Sequence, residues 1–389
     1  MATATVVTVY FATNRQPLTN VEDHIVDFGS ELGPVGGLDV RYGQAQVEVD
    51  LNASRATIVP GSLEVADQKL LFAPGGAPLL GSKTIFDAIR TDMTKGSRPT
   101  IAIIHGFSNS FTDAIERAGW VLVFYGIDAN VFAFTWPSVA SPIGIPLPYN
   151  DYTHDRATAA ASGPAVARTI RRLYDYVDSL AREQRCRQSI HLICHSMGNY
   201  VLRNALQALM RLPDAAAAIS GDVRTMCSLG ADAPDPSVLR QTFDKIVLAA
   251  ADEDADAFDD PTKLKYLPRL GQSVTVYHSG KDWVLNTLSA VTKFNGPRLG
   301  SDGPDNMGSI SDKVSAVDVS DVISFEEEPE NHQYYRVFPS VRDDIVAVLK
   351  GTPQSQVPNR TPVSEGRWRI TPGRPAARRT TGRPKKRKG

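Results

Sequence analysis

A doubly wound α/β architecture, mostly parallel in its sheet with antiparallel strands at the N-terminal edge, is predicted by three features of this 389-residue sequence. Short, continuous apolar runs recur, as in strands covered on both faces. Segments with a 3.6-residue apolar period separate them, and strand, helix and strand in that order imply parallel crossovers. Several of these runs end in turns rich in small or polar residues, where α/β sheets carry their chemistry.

Residues 4–11 are a β-rich run closed by Asn14-Arg15, and residues 38–50 alternate as half-exposed strands do. Together they read as the antiparallel edge. Gly33-Pro34, Gly36-Gly37 and Pro74-Gly75-Gly76 mark long loops around them. The core begins with the apolar run 100–104 and leaves it through His105-Gly106-Phe107-Ser108-Asn109. Residues 110–125 keep helical spacing, and 130–134 form a second buried strand ending in Thr135-Trp136-Pro137-Ser138. Residues 139–153 are aliphatic and Pro-rich without either period, as expected of a loop that packs on its own domain or flaps over a cleft. Val166, Ile170, Leu173, Val177 and Leu180 step along one helical face and deliver the chain to a strand at 190–194. Val201, Ala205 and Ala208 continue the pattern beyond it. Residues 245–250 and 273–278 read as further strands, and 341–350 as a closing helix.

The chain accordingly divides into N-terminal strands and loops of the same sheet (1–98), a catalytic core (99–350) and a tail (351–389). The net charge of -1 conceals an asymmetry, because the tail holds eleven of the 42 Lys/Arg and one of the 43 Asp/Glu. Rich in Pro, Arg and Thr, it is expected to be disordered, a solvated basic segment whose natural contacts would be anionic surfaces. Cys186, Cys194 and Cys227 make neither a disulfide framework nor a metal motif, so no metal or cofactor is expected and a reducing, cytoplasmic setting is. No stretch is apolar for long enough to span a membrane.

Residues 190–199 (Ile-His-Leu-Ile-Cys-His-Ser-Met-Gly-Asn) run from a buried strand through a tight turn into a helix. Ser196 at the apex is placed as a nucleophile whose hydroxyl stands clear of the strand, with helix N–H groups behind it. A serine that merely capped the helix would not need Gly198 two residues on. Such a serine requires a base, an acid to orient the base, and N–H donors for an oxyanion. Of seven histidines only His278 and His332 follow Ser196, and His332 fits the chain order of nucleophile, acid, base. Asp282, after the turn Ser279-Gly280-Lys281, is the favoured acid, with Asp252, Asp254 and Asp256 as rivals. The oxyanion donors would be the amides of Met197 and Phe107. His195 is read as a structural part of the turn, and Trp136 as core or cleft wall.

The segments Val9 to Arg15, His105 to Phe111, Phe134 to Ser138 and His195 to Asn199, with the strand-end aspartates, resemble the α/β-hydrolase superfamily. The narrower resemblance is to a bacterial α/β-hydrolase family of unknown function. It spans residues 4–350 and implies an α/β-hydrolase fold and an esterase- or lipase-like serine hydrolase acting on a small-molecule ester, thioester or amide. One position departs from the general Gly-x-Ser-x-Gly turn: its first residue is Cys194. A non-catalytic binding protein on the same fold is the alternative expectation.

Overall fold

The computed structural model describes residues 4–67, 80–140, 149–211, 234–289 and 296–372. Cys227, residues 141–148 of the Pro-rich loop and residues 373–389 of the basic tail lie outside them. In chain order the strands are β1 (Thr5–Thr13), β2 (Arg15–Thr19), β3 (Ile25–Leu32), β4 (Arg41–Asp50), β5 (Arg55–Ile58), β6 (Glu64–Val65) and β7 (Thr100–Ile104). They continue as β8 (Asn130–Thr135), β9 (Ile190–His195), β10 (Phe243–Ala249), β11 (Gly271–His278), β12 (Val314–Asp318), β13 (Arg360–Ser364) and β14 (Arg367–Ile370).

Among the described residues twelve strands share one sheet, ordered β13-β14-β12-β11-β10-β9-β7-β8-β1-β4-β5, with β6 also on β4. Pairing is parallel from β14 through β1, whereas β4, β5 and β6 close one edge antiparallel and β13 closes the other. β2 and β3 form a separate hairpin. The expected doubly wound, mostly parallel sheet with an antiparallel N-terminal edge is therefore observed.

Side chains alternate between its faces with a period of two. Ile104, Phe134, Leu192, Cys194 and Leu248 pack on one side against the helices Gly81–Gly96, Tyr149–Ser179 and Gly198–Leu209. Ile103, Val131, Ile193 and Val247 pack on the other against Phe111–Tyr125 and Pro339–Leu349. Helix 111–125 has both ends written in its sequence. Ser110 and Asp113 make a reciprocal capping box, and Gly126 takes φ 60° at the C-cap. Helix 81–96 escaped the sequence reading, although it buries Ile85, Phe86, Ile89 and Met93. It lies in the segment read as strands and loops, and its apolar stripe is short.

The tail needs correction. Residues 360–370, expected to be disordered with the rest of 351–389, form the β13–β14 hairpin, and β14 pairs with β12. The physical reason is local: Ile370 is fully buried, Trp368 packs on the core, and Arg360 enters an ion pair that composition does not reveal. Arg360 Nε and Nη2 lie 2.7 and 2.5 Å from the two carboxylate oxygens of Asp344, with both side chains 1% exposed. Tyr277 donates to the same carboxylate at 2.6 Å.

Removing the arginine strands a buried carboxylate. Arg360→Ala is expected to cost about 3–5 kcal/mol, read as a lowered denaturation midpoint, whereas truncation after residue 372 should leave the midpoint in place.

Candidate active site

Ser196 follows the last residue of β9 and carries φ 50°, the left-handed region that a β-carbon disfavours. Neighbours impose that geometry. The Ser196 amide donates to Ala249 O at 3.0 Å, its carbonyl accepts from the Asp252 and Asn199 amides, and Asn199 Nδ2 also donates to it at 3.0 Å. Gly198 permits the helix to start against β7, because a β-carbon there would lie 2.5 Å from the carbonyl oxygens of both Ile104 and His105. A β-carbon at Gly106 would fall 2.8 Å from the Ser196 β-carbon, so the loop after β7 reaches the serine only through glycine.

Cys194 fits without opening the turn. Its side chain is fully buried in the core beneath helix 198–209, and burial holds the thiol well above its usual pKa, so it packs as a neutral group.

His332 comes from the loop after β12 and is 2% exposed. Its Nδ1 lies 2.7 Å from Asp282 Oδ2, at the turn after β11, while Leu285 N–H donates to Asp282 Oδ1 at 3.0 Å. The rival acids are paired with other side chains. Asp252 accepts from Tyr152 Oη at 2.7 Å and faces Arg156, Asp254 pairs with Arg298 and Lys263, and Asp256 pairs with Lys263. His278 Nδ1 donates to Ser301 O at 3.3 Å. Ser196 and His332 face one cavity of about 10 Å³, which Phe107, Tyr152, His195, Leu285 and the rival acid Asp252 also line. No hydrogen bond joins the Ser196 hydroxyl to His332 in this state; such contacts often tighten only around substrate.

Burial pushes the His332 imidazole toward its neutral form, but the charge and hydrogen bond of Asp282, with Glu328 and Glu330 behind it, carry its pKa above 6.5. Burial raises Asp282, and the histidine partly offsets it.

Several positioning residues were not legible in the sequence. Glu328 is buried, and its carboxylate accepts the amides of Glu330, His332 and Gln333. It thereby shapes the turn that presents the histidine. His195, neutral through burial, approaches His332 O at 3.0 Å through Nε2, so that nitrogen carries the proton, and its ring stacks on Tyr335. The expected structural role of His195 thus has a specific form: it holds the backbone of the second histidine.

The loop bearing Phe107 is braced from below. Asn109 Nδ2 donates to the carbonyls of Gly106 and Phe107, and the His105 ring stacks on Trp136 while accepting its amide at Nε2. Arg15, fully buried, donates to Asn109 O at 2.8 Å, Gly29 O at 3.1 Å and Thr135 Oγ1 at 3.1 Å. Burial lowers its pKa to about 9, countered first by Asp155. Among the described residues, the amides of Phe107 and Met197 donate to no backbone carbonyl in turns or loops.

Residues 83–350 match the family described as alpha/beta hydrolase of unknown function (DUF900). The chain belongs to that family. No curated protein matches the sequence significantly. The matched region of this alpha/beta hydrolase begins two residues into helix 81–96, takes in the Ser196 turn, Asp282 and His332, and stops before the β13–β14 hairpin. Among the described residues the hydrolase has no helix long and apolar enough to cross a membrane, and no cluster of three His, Cys, Asp or Glu side chains arranged to hold a metal.

The Gly198 contact generates a test. Gly198→Ala forces a methyl into two backbone carbonyls that cannot yield as side chains do, and is expected to cost about 1–3 kcal/mol. Thermal unfolding would show the loss, and reactivity at Ser196 should fall with it.

Proposed function

We propose that this alpha/beta hydrolase cleaves a carboxylic ester, with thioesters and amides as chemically related substrates, through an acyl-enzyme on Ser196. The observation that carries the reading is the buried His332–Asp282 pair, 2.7 Å long, whose histidine faces the same cavity as the strained Ser196.

In this mechanism Ser196 Oγ attacks the carbonyl carbon while His332 Nε2 takes its proton, and Asp282 holds Nδ1–H and stabilises the imidazolium. The carbonyl oxygen, now negative, is received by the amides of Phe107 and Met197. Collapse expels the alcohol, which takes the proton from His332. Water then attacks the acyl-enzyme with His332 again as base, and the acid leaves with Ser196 restored. All of these groups are in the chain, so the mechanism requires no cofactor.

An activated fluorophosphonate should label the native protein and fail to label Ser196→Ala, with both folded by circular dichroism. A folded native protein that resists labelling and turns over no short-chain ester would instead fit a binding protein on this fold. Asp282→Asn should reduce kcat by roughly 10⁴-fold, since the imidazole would lose the tautomer the reaction needs.

The pH dependence has a definite sign. The base must be neutral, so kcat/KM should fall as pH drops through the His332 pKa, with a midpoint above 6.5 because the histidine is raised. Glu330 helps raise it by charge, and Glu330→Gln should move the midpoint to lower pH. A midpoint unmoved by that substitution would show that another group controls the limb.

A further inference from the structure

A second cavity, of about 160 Å³, lies between the sheet and the helices 81–96 and 149–179. Its wall is apolar: Ile89 and Met93 come from the first helix, Ile170 and Leu173 from the second, and Phe132 and Leu192 from the sheet. Thr100 and Ile190, the first residues of β7 and β9, line it as well, whereas Ser196 lies beyond the opposite end of β9. Five steps of strand, about 16–17 Å, separate Ile190 from His195, and the lining runs along β7 from Thr100 as far as Ile104, the partner of Cys194. The two cavities share no lining residue.

The polar groups in this wall are mostly committed. Thr169 Oγ1 donates to Ala165 O and contacts Tyr42 Oη, and Tyr176 Oη donates to Asp87 at 2.6 Å. Two arginines differ. Arg90 uses Nε on Tyr176 Oη and Nη1 on Gln184 O, and Arg185, exposed, uses Nε on Leu180 O. Among the described residues neither guanidinium forms an ion pair within 4.0 Å, so each keeps N–H donors for an anion at the solvent side of the cavity.

We propose that this cavity binds a single-chain aliphatic carboxylate, its hydrocarbon between the helices and the sheet and its head on Arg90 and Arg185. Its volume matches that of engineered apolar cavities of about 150 Å³, which take up small hydrocarbons. Planar guanidinium donors match a carboxylate head in two-point hydrogen bonding. The site is separate from the Ser196 cavity and independent of the chemistry proposed there.

The test uses octanoate and the full chain, with binding followed by calorimetry. Octanoate should bind once per chain and raise the unfolding temperature, and octylammonium, with the same tail and the opposite charge, should bind more weakly. The double variant Arg90→Gln, Arg185→Gln should weaken octanoate about tenfold, the loss of a charge-assisted contact. Ala102→Phe, which fills the cavity from β7, should abolish binding, and Leu173→Trp does the same from the helix if the first variant fails to fold. Absence of saturable binding, equal binding of octylammonium, or undiminished binding in a folded Leu173→Trp would each overturn the proposal. So would protection of Ser196 from fluorophosphonate in step with octanoate occupancy, because the occupied space would then be the acyl pocket of the first site.

Discussion

The contact on which the site depends is that between the start of helix 198–209 and the end of β7. At Gly198 the chain passes so near the Ile104 and His105 carbonyls that no side chain fits, and at Gly106 the neighbouring loop comes equally near Ser196. These two close approaches bring the serine and the Phe107 loop together. They also leave Ser196 in a left-handed conformation that the flanking hydrogen bonds to β10 hold in place. Backbone strain recurs around the site: Ser108, Ala250 and Asn331 also have positive φ, each in a loop that borders Ser196 or His332.

Strain of this kind persists only where the surroundings outweigh it, and here buried polar groups supply the restraint. Arg15 joins β3, β8 and the loop after β7 with side-chain donors aimed at carbonyl and hydroxyl oxygens. Tyr334 Oη receives the Ala250 amide and donates to Tyr277 O, joining the ends of β10 and β11 next to the His332 loop. Glu328 collects three amides of that loop on one carboxylate. Most of these restraints act on backbone, so they fix the loops that carry Ser196 and His332 without engaging the Ser196 hydroxyl.

Much of this was legible in the residues. Alternating and continuous apolar runs give the strands their faces, and the order of a small-residue turn, an aspartate and a late histidine singled out Ser196, Asp282 and His332. The hidden elements have a common cause. Glu328 looks like a solvated acid among glutamates, and Arg360 like one more charge in a basic tail, because a charged residue declares its burial only through the partner it meets. Asp344 lies 16 residues from Arg360, and the amides that Glu328 accepts lie in its own turn, so neither pairing has a spacing signature.

The sequence by itself determined the strand faces, the parallel crossovers, the glycine positions and the short list of chemically competent groups, because these follow from local periodicity and from what a backbone can do without a side chain. The tertiary structure decided which carboxylate faces the histidine, which charges are buried, and that part of a basic tail completes the sheet. Those outcomes depend on distances between segments far apart in the chain. A hydrogen bond of 2.7 Å between His332 and Asp282, across fifty positions of sequence, exists only once β11 and β12 lie side by side.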